Sequence, residues 1–146
     1  MSFRIFVEID YQLDELKKSI GEAKGIKVAE LFVNQLISPV PNLNHGIYIF
    51  KSQKGEVYVG KCTSRSFVER IAAHFDNRVN AWMNTILKKI SKSENITIQE
   101  SYNYFLSSFE LILIPLNENF IKNNNVNSLE KELINCISTL NKKRKL

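Results

Sequence analysis

The residues of this sequence best able to do chemistry lie in and just after a predicted hairpin. The segments GIYIF and EVYVG are rich in β-branched and aromatic residues, and each has a tyrosine, Tyr48 or Tyr58, near its middle. Lys61 follows the second segment, and Arg70 and His74 lie four residues apart further along the chain. A phenol with the ordinary pKa of about 10 is a weak base, but nearby cations favour the phenolate and lower that pKa. These residue types therefore suggest proton transfer beside a bound anion.

The positive charge of the chain is concentrated around these residues. The net charge is +5, and residues 51–92 hold nine basic side chains against three acidic ones, whereas the segments on either side are nearly balanced. A local excess of this kind favours a polyanionic partner. Nucleic acid is preferred over a membrane surface, because the sequence has no lipid-anchor signal and no strongly amphipathic basic helix. A solvated basic face is the alternative interpretation.

Length and composition indicate one domain inside the cell. The 146 residues are sufficient for one hydrophobic core without disulfide support. No apolar run could cross a bilayer, and the N-terminal residues lack the pattern of a secretory signal. Cys62 and Cys136 have no metal-ligand spacing, which favours two reduced thiols. We therefore predict a cytoplasmic protein that does not interact with membranes.

The first elements can be predicted from hydrophobic periodicity. The segment FRIFVEID predicts a strand, and helical spacing predicts helices around residues 13–20 and 28–36, all within an N-terminal extension of residues 1–44. The hairpin loop KSQKG, if centred on Gln53, places Tyr48 directly opposite Tyr58. Both phenols would then project from one face of the sheet.

The later elements are predicted to surround this hairpin. Ser66 and Thr97 each precede a glutamate by three residues, which is a signature of a helix start. A helix between them, over VNAWMNTILKKI, is predicted to bury Val79, Trp82, Met83, Ile86 and Ile90. FELILI indicates a buried strand, NENFIKNNNVNS a loop, and the apolar spacing after Asn127 a final helix.

Five of these features, in this order, resemble the GIY-YIG endonuclease family. They are GIY at 46–48, YVG at 58–60, the lysine after it, ERIAAH at 69–74 and LEKELINCISTLN at 129–141. The resemblance covers about residues 45–141. It implies a small α+β fold, an α/β sandwich in which a three-stranded antiparallel sheet is flanked by helices. We accordingly predict a nuclease-like domain over residues 45–146.

The resemblance also implies a catalytic set. Its members are Tyr48, Tyr58, Lys61, Arg70, His74 and Glu130. Glu130 is implied as the ligand of one Mg²⁺, with Mn²⁺ as a possible substitute, and Arg70 as the group that binds the phosphate. One of the two tyrosines is implied to accept the proton of the attacking water. We favour Tyr48 for this role and keep Tyr58 as the alternative, just as Glu132 is the alternative metal ligand.

The partner implied by the resemblance is DNA, either duplex or branched. The predicted DNA contacts are Lys61, Arg65, Arg70, Arg78, Lys88, Lys89 and Asn141. The long gap between Tyr58 and Arg70 leaves Arg65 as a second candidate for the phosphate-binding arginine. The sequence therefore predicts a metal-dependent DNA endonuclease, with a non-catalytic DNA-binding module as the alternative. Residues 1–44 are predicted to serve a homodimer or a partner protein.

Overall fold

The computed structural model describes residues 3–8, 10–38, 43–81, 83–123 and 125–141. Within these residues the chain has an α+β fold, as predicted. The elements in chain order are α1 (Leu13–Glu22), β1 (Ile26–Lys27), β2 (Gly46–Ser52), β3 (Val57–Cys62), α2 (Phe67–Ala73), α3 (Thr85–Glu94), α4 (Ile98–Ser108), β4 (Phe109–Pro115), α5 (Glu118–Lys122) and α6 (Asn125–Ile137). Two short 3₁₀ turns, Val28–Glu30 and Val33–Gln35, lie between β1 and β2.

An antiparallel sheet in the strand order β1-β4-β2-β3 forms the centre of the fold. Successive strand residues point alternately to the two faces of the sheet. Both faces are buried, because helices pack against each of them. Tyr48 and Leu111 pack in a cluster with α2, α3 and α4, whereas Ile47 and Ile112 pack in a second cluster with α1, α5 and α6. The described residues form a four-stranded sheet. This is one strand more than predicted, because Ile26–Lys27 pairs with β4.

The pairing of β2 with β3 differs from the prediction by two residues. Tyr48 lies opposite Gly60 rather than opposite Tyr58. The chain reverses through a turn in which the Gly55 N–H donates to the Ser52 carbonyl, and Gly55 has a φ of 88°, which glycine adopts without strain. The predicted direct pairing of the two tyrosines is therefore wrong. A shift of two residues nevertheless keeps both side chains on the predicted common face, with ring centroids 6.4 Å apart.

The N-terminal residues are less regular than predicted. The first predicted helix is confirmed as α1. Of the predicted strand FRIFVEID, the described residues form an isolated bridge between Arg4 and Leu113, and Ile9 lies outside the described residues. The helix predicted over residues 28–36 is wrong, because this segment forms the two 3₁₀ turns. Phe32, between the turns, is 70% exposed. The helical spacing of apolar residues here does not correspond to one buried face.

The helices after the hairpin mostly confirm the predicted starts. The hydroxyls of Ser66 and Thr97 accept hydrogen bonds from the backbone N–H three residues on and so begin α2 and α4. The helix predicted from Val79 begins only with α3, so Val79 is exposed in a loop; Trp82 lies outside the described residues. The predicted asparagine-rich loop contains α5, and α6 is the predicted last helix. No described helix is long and apolar enough to cross a membrane.

The outer edge of β3 is covered by the residues that follow α6. The N–H groups of Thr139 and Leu140 donate to the Val57 carbonyl, and the Val57 N–H donates to the Thr139 hydroxyl. The side-chain amide of Asn141 makes two hydrogen bonds of 2.7 Å with the backbone of Val59, accepting from its N–H and donating to its carbonyl. These residues take the place of a neighbouring strand. The Asn141 amide, predicted to contact DNA, is therefore engaged within the fold.

We expect Asn141→Ala to lower the free energy of unfolding by about 1–3 kcal/mol, because both Val59 backbone groups lose their partner. Urea denaturation measures this change. Asn103→Ala, on an exposed position of α4, is the control and should change stability by no more than about 0.5 kcal/mol. An Asn141 variant with unchanged stability and weakened DNA binding would contradict the structural role and favour the predicted DNA contact.

Candidate active site

The site is built around Tyr48, whose phenol ring lies against Gly60 of the neighbouring strand. A β-carbon at position 60 would come closer to the ring and hydroxyl atoms of Tyr48 than non-bonded atoms can approach. The absent side chain therefore makes room for the phenol. Tyr48 is 1% exposed and Tyr58 is 6% exposed, so both rings are held inside the fold. Glycine at position 60 is thus a requirement for the position of Tyr48.

His74 packs against both tyrosines. Its imidazole is completely buried and lies edge-on to the rings of Tyr48, Phe50 and Tyr58, with centroid distances of 5.5, 5.7 and 5.5 Å. Burial, assisted by the positive charge of Arg70, lowers the pKa of His74 from 6.5 to about 3. The imidazole is therefore neutral at pH 7.

Two hydrogen bonds determine which nitrogen of His74 carries the proton. The backbone N–H of Ile86, in the first turn of α3, donates to Nδ1 over 3.3 Å, so Nδ1 is the unprotonated nitrogen. Nε2 therefore carries the proton and donates it to the phenol oxygen of Tyr48, 2.8 Å away. The Tyr48 hydroxyl hydrogen is then directed away from His74, and the interaction of this hydroxyl with Tyr58 acts to lower the pKa of Tyr58. His74 therefore accepts a hydrogen bond from the backbone of α3 and donates one to the Tyr48 hydroxyl.

Both phenols are neutral in this fold at pH 7. Burial raises the pKa of Tyr48 and of Tyr58 above 10.0, and the positive charge of Arg70 opposes the rise only in part. The pKa lowering that the sequence suggested is therefore outweighed by burial. Hydrogen bonds with Thr85 and Tyr48 also act to lower the pKa of Tyr58, because they favour its ionised form.

Arg70 projects from α2 toward the same tyrosines. Its Nη1 donates to the carbonyl of Met83 over 3.1 Å, which fixes one edge of the guanidinium. Its charge lowers the pKa of Tyr48, Tyr58 and His74, so it lies within electrostatic range of all three. A guanidinium has five N–H donors. The bond to Met83 therefore leaves donors for a phosphate.

Glu130, on α6, meets Lys61 at the end of β3. The Lys61 ammonium lies 3.8 Å from the Glu130 carboxylate and also donates to the side-chain oxygen of Asn127. Burial raises the pKa of Glu130, and the charge of Lys61 opposes that rise. The negative charge of Glu130 in turn raises the pKa of both Tyr48 and Tyr58. The carboxylate therefore shares the electrostatic environment of the tyrosine pair.

The chemistry of this donor set fits one hard divalent cation. Mg²⁺ is commonly held by one or two carboxylates and keeps several of its waters, and Glu130 presents a carboxylate that is 21% exposed. In the described part of the chain no group of three or more His, Cys, Asp or Glu side chains is placed to hold a metal ion. Glu132, the alternative ligand, accepts a hydrogen bond of 2.7 Å from the Tyr11 hydroxyl instead.

Three of the four remaining predicted DNA contacts already have partners within the fold. These partners are Glu69 for Arg65, Asp76 for Arg78 and the Ala81 carbonyl for Lys88. Lys89 is half-buried on α3. Arg65 and Arg78 are largely exposed, and ion pairs in solvent contribute only about 0–1 kcal/mol. A phosphate could therefore compete for either arginine.

The site residues predicted from sequence do not include three groups that the structure places at the site: Thr85, Asn127 and the backbone N–H of Ile86. Asn127 lies three residues before Glu130, and residues at this spacing are neighbours on a helix surface. Its proximity to the carboxylate was therefore available from the sequence once the helix was predicted. The roles of Thr85 and Ile86 depend on how α3 packs on the hairpin, which no local pattern specifies.

Comparison with known proteins gives no match to this chain among family models, curated proteins or solved structures. The resemblance to GIY-YIG endonucleases therefore rests on the sequence features given above.

The buried His74 predicts a pH dependence of stability. Its pKa is about 3 in the fold and 6.5 as an ordinary histidine, so the unfolded chain binds more protons between these values and stability falls as pH decreases through that window. This residue contributes a slope of up to about 1.4 kcal/mol per pH unit. We expect His74→Gln to flatten the profile of unfolding free energy between pH 6.5 and 4, measured by urea denaturation.

The control for this prediction is His45→Gln, which replaces the other of the two histidines at a half-buried position. The control variant should keep the slope that the wild type has. A His74 variant that unfolds with the same pH slope as the wild type would contradict a neutral, buried imidazole.

Proposed function

We propose that this protein is a metal-dependent DNA endonuclease that hydrolyses phosphodiester bonds. The main support is the convergence of two phenols, a neutral imidazole, a guanidinium and a carboxylate on one region of the fold. These side chains come from the consecutive elements β2, β3 and α2 with its C-cap residue, and from α6, which lies far along the chain from the other three. Together they can bind a phosphate, hold a cation and transfer a proton.

Each side chain has a distinct task in this reaction. Arg70 binds an oxygen of the scissile phosphate and stabilises the charge that develops there. Glu130 would hold the cation, and Lys61 orients the Glu130 carboxylate through their ion pair. A cation held there supplies positive charge, which lowers the pKa of bound water and favours ionisation of nearby phenols.

Tyr58 is the better proton acceptor of the two tyrosines. Its interactions with the side chains of Thr85 and Tyr48 act to lower the pKa of its phenol, which favours the phenolate. The Tyr48 oxygen instead accepts the Nε2 proton of His74. We therefore assign Tyr58 as the group that accepts the proton of water, in the phenolate form that a nearby cation would favour once the phenol proton has passed to solvent. Tyr48, the residue favoured from sequence, keeps its proton. Tyr48 and His74 are positioning residues in this mechanism.

A cleavage assay on purified protein tests the proposal. Plasmid, linear duplex and branched DNA are incubated with Mg²⁺, and Arg70→Ala is expected to cut about 10²-fold more slowly, since a donor to the transition-state charge is lost. Arg65→Ala is the matched control because Arg65 is exposed and pairs with Glu69. Equal activity in the Arg70 variant and the wild type would contradict the assigned role, and a loss only in the Arg65 variant would transfer the role to Arg65.

A non-catalytic DNA-binding module is the second candidate function. It is favoured by the raised pKa of both phenols, since neutral tyrosines can hold a phosphate without accepting a proton. In the same assay it would bind DNA with a steep salt dependence and leave it intact in both Mg²⁺ and Mn²⁺.

Two further assignments belong to this proposal. A cytoplasmic location agrees with the unpaired state of Cys62 and Cys136. Contact of residues 1–44 with a second copy or a partner protein is supported by the exposure of Phe32 and Val33, at 70% and 64%.

A further inference from the structure

The loop between α2 and α3 lies beside the candidate active site. It follows His74 directly, and it leads into Thr85 and Ile86, which contact Tyr58 and His74. The Arg70 guanidinium donates to the carbonyl of Met83 near the end of the loop. If a DNA phosphate binds Arg70, this loop would therefore contact the duplex next to that phosphate.

Hydrogen bonds to its backbone carbonyls fix the conformation of the loop. The side-chain amide of Asn84, which is completely buried, donates to the carbonyls of Asp76 and Arg78 over 2.6 and 3.2 Å. The Ala81 N–H also donates to the Arg78 carbonyl, and the Lys88 ammonium donates to the Ala81 carbonyl. These bonds stabilise one conformation, so the tip formed by residues 77–80 is presented to solvent in a fixed shape.

The tip combines an apolar side chain with polar ones. All four residues, 77 to 80, are exposed, and Val79 is 79% exposed, the largest exposed fraction among the exposed large hydrophobic side chains of the described residues. Arg78 donates to the Asp76 carboxylate through Nε and Nη2. Its Nη1 takes no part in these hydrogen bonds. Asn77 and Asn80 flank Arg78 and Val79 in sequence.

The charge around the tip favours DNA over a protein surface as its partner. Residues 70–92 contain five basic side chains and one acidic side chain. That one acidic residue, Asp76, is already paired with Arg78 over 2.6 Å. Proteins that bind the minor groove combine Arg or Asn side chains with an apolar wedge that partly unstacks a base step. The tip presents the same combination.

We propose that residues 77–80 enter the minor groove beside the scissile phosphate and that Val79 unstacks a base step there. The inference rests on the proposed function and adds a substrate preference to it. Steps that unstack at low cost, such as TA, or sites next to a mismatch or branch, are cut faster than a stiff A-tract. The cleavage site is therefore selected by deformability rather than by a fixed base sequence.

Two measurements on the full chain test this inference. The first follows the fluorescence of a 2-aminopurine placed at a central TA step, with protein added in EDTA so that no metal-dependent cutting occurs. Fluorescence should rise with the wild type and with Cys136→Ser, which likewise replaces an exposed side chain by serine, on α6. It should not rise with Val79→Ser. The second compares cleavage rates in Mg²⁺, where Val79→Ser should reduce the preference for the TA duplex over an A-tract by about tenfold.

The outcomes separate this inference from the proposed function. DNA cutting by the wild type with no fluorescence change, or with the same preference in Val79→Ser, would overturn the inference and leave the nuclease intact. A fluorescence rise that requires Val79 but is followed by no cutting would support the inference and remove the nuclease. Absence of DNA binding would overturn both. A change of oligomeric state in Val79→Ser without an effect on DNA would identify the tip as a protein contact and overturn the inference.

Discussion

Glu130→Gln is expected to lower the rate of Mg²⁺-dependent DNA cleavage by about 10³-fold, which corresponds to about 4 kcal/mol of transition-state stabilisation. The substitution keeps the size of the side chain and removes its negative charge. Glutamine is a poor ligand for a hard cation, so the metal would lose its one protein carboxylate in this site. Cleavage rates at several Mg²⁺ concentrations measure both the loss of rate and the weakening of metal binding.

The matched control is Glu132→Gln, two residues along α6. Glu132 accepts a hydrogen bond from Tyr11, so its variant is expected to lose some stability and to keep most of its activity. Because Glu130 also pairs with Lys61, unfolding experiments should accompany the assay to exclude global unfolding. If Glu132→Gln were inactive and Glu130→Gln active, the metal ligand would have been assigned to the wrong glutamate.

Gly60→Ala is expected to damage both stability and activity. The new methyl group would collide with the ring of Tyr48, and relief requires displacement of that ring from His74. Overpacking of this kind costs about 1–3 kcal/mol of unfolding free energy. Displacement of a positioning residue by about 1 Å can lower a rate about 10²-fold. Urea denaturation and the cleavage assay measure the two effects on the same protein sample.

Two further variants make this result specific. Gly21→Ala, within α1, places its methyl group where no other atom lies within 4 Å, and it should stabilise the protein by about 0.5–1 kcal/mol. Tyr48→Leu combined with Gly60→Ala should recover part of the lost stability, because the clash is removed, but none of the activity. Equal stability of Gly60→Ala and the wild type would contradict the close approach of Tyr48 to the β3 backbone.

The predictions that succeeded from sequence depend on short-range interactions. The caps at Ser66 and Thr97 follow from a hydroxyl and a backbone N–H three residues apart. The common face of Tyr48 and Tyr58 follows from the two-residue period of strands, which survives the error in their register. Local spacing was sufficient in both cases. The two partners of a cap are only three residues apart, and the alternation of side chains repeats along a single strand.

The predictions that failed depend on long-range packing. The pairing of Tyr48 with Gly60 is set by the turn at Gly55 and by the space that a glycine leaves, neither of which alternation reveals. The protonation of His74 depends on the backbone of Ile86, which reaches it only through tertiary structure. The raised pKa of the phenols likewise follows from burial between sheet and helices, whereas the sequence suggested only the charges near them.

The cover over β3 has a consequence for self-association. An uncovered edge strand offers unpaired N–H and C=O groups to any other chain, and it is a common starting point for aggregation. Here residues 138–141 pair with one outer strand, and the opposite outer strand, β1, has only the two residues Ile26–Lys27. The sheet thus offers little template for growth, and two molecules that associate would do so through helices and loops. Variants weakened at Asn141 would be the first to form fibrils at high concentration.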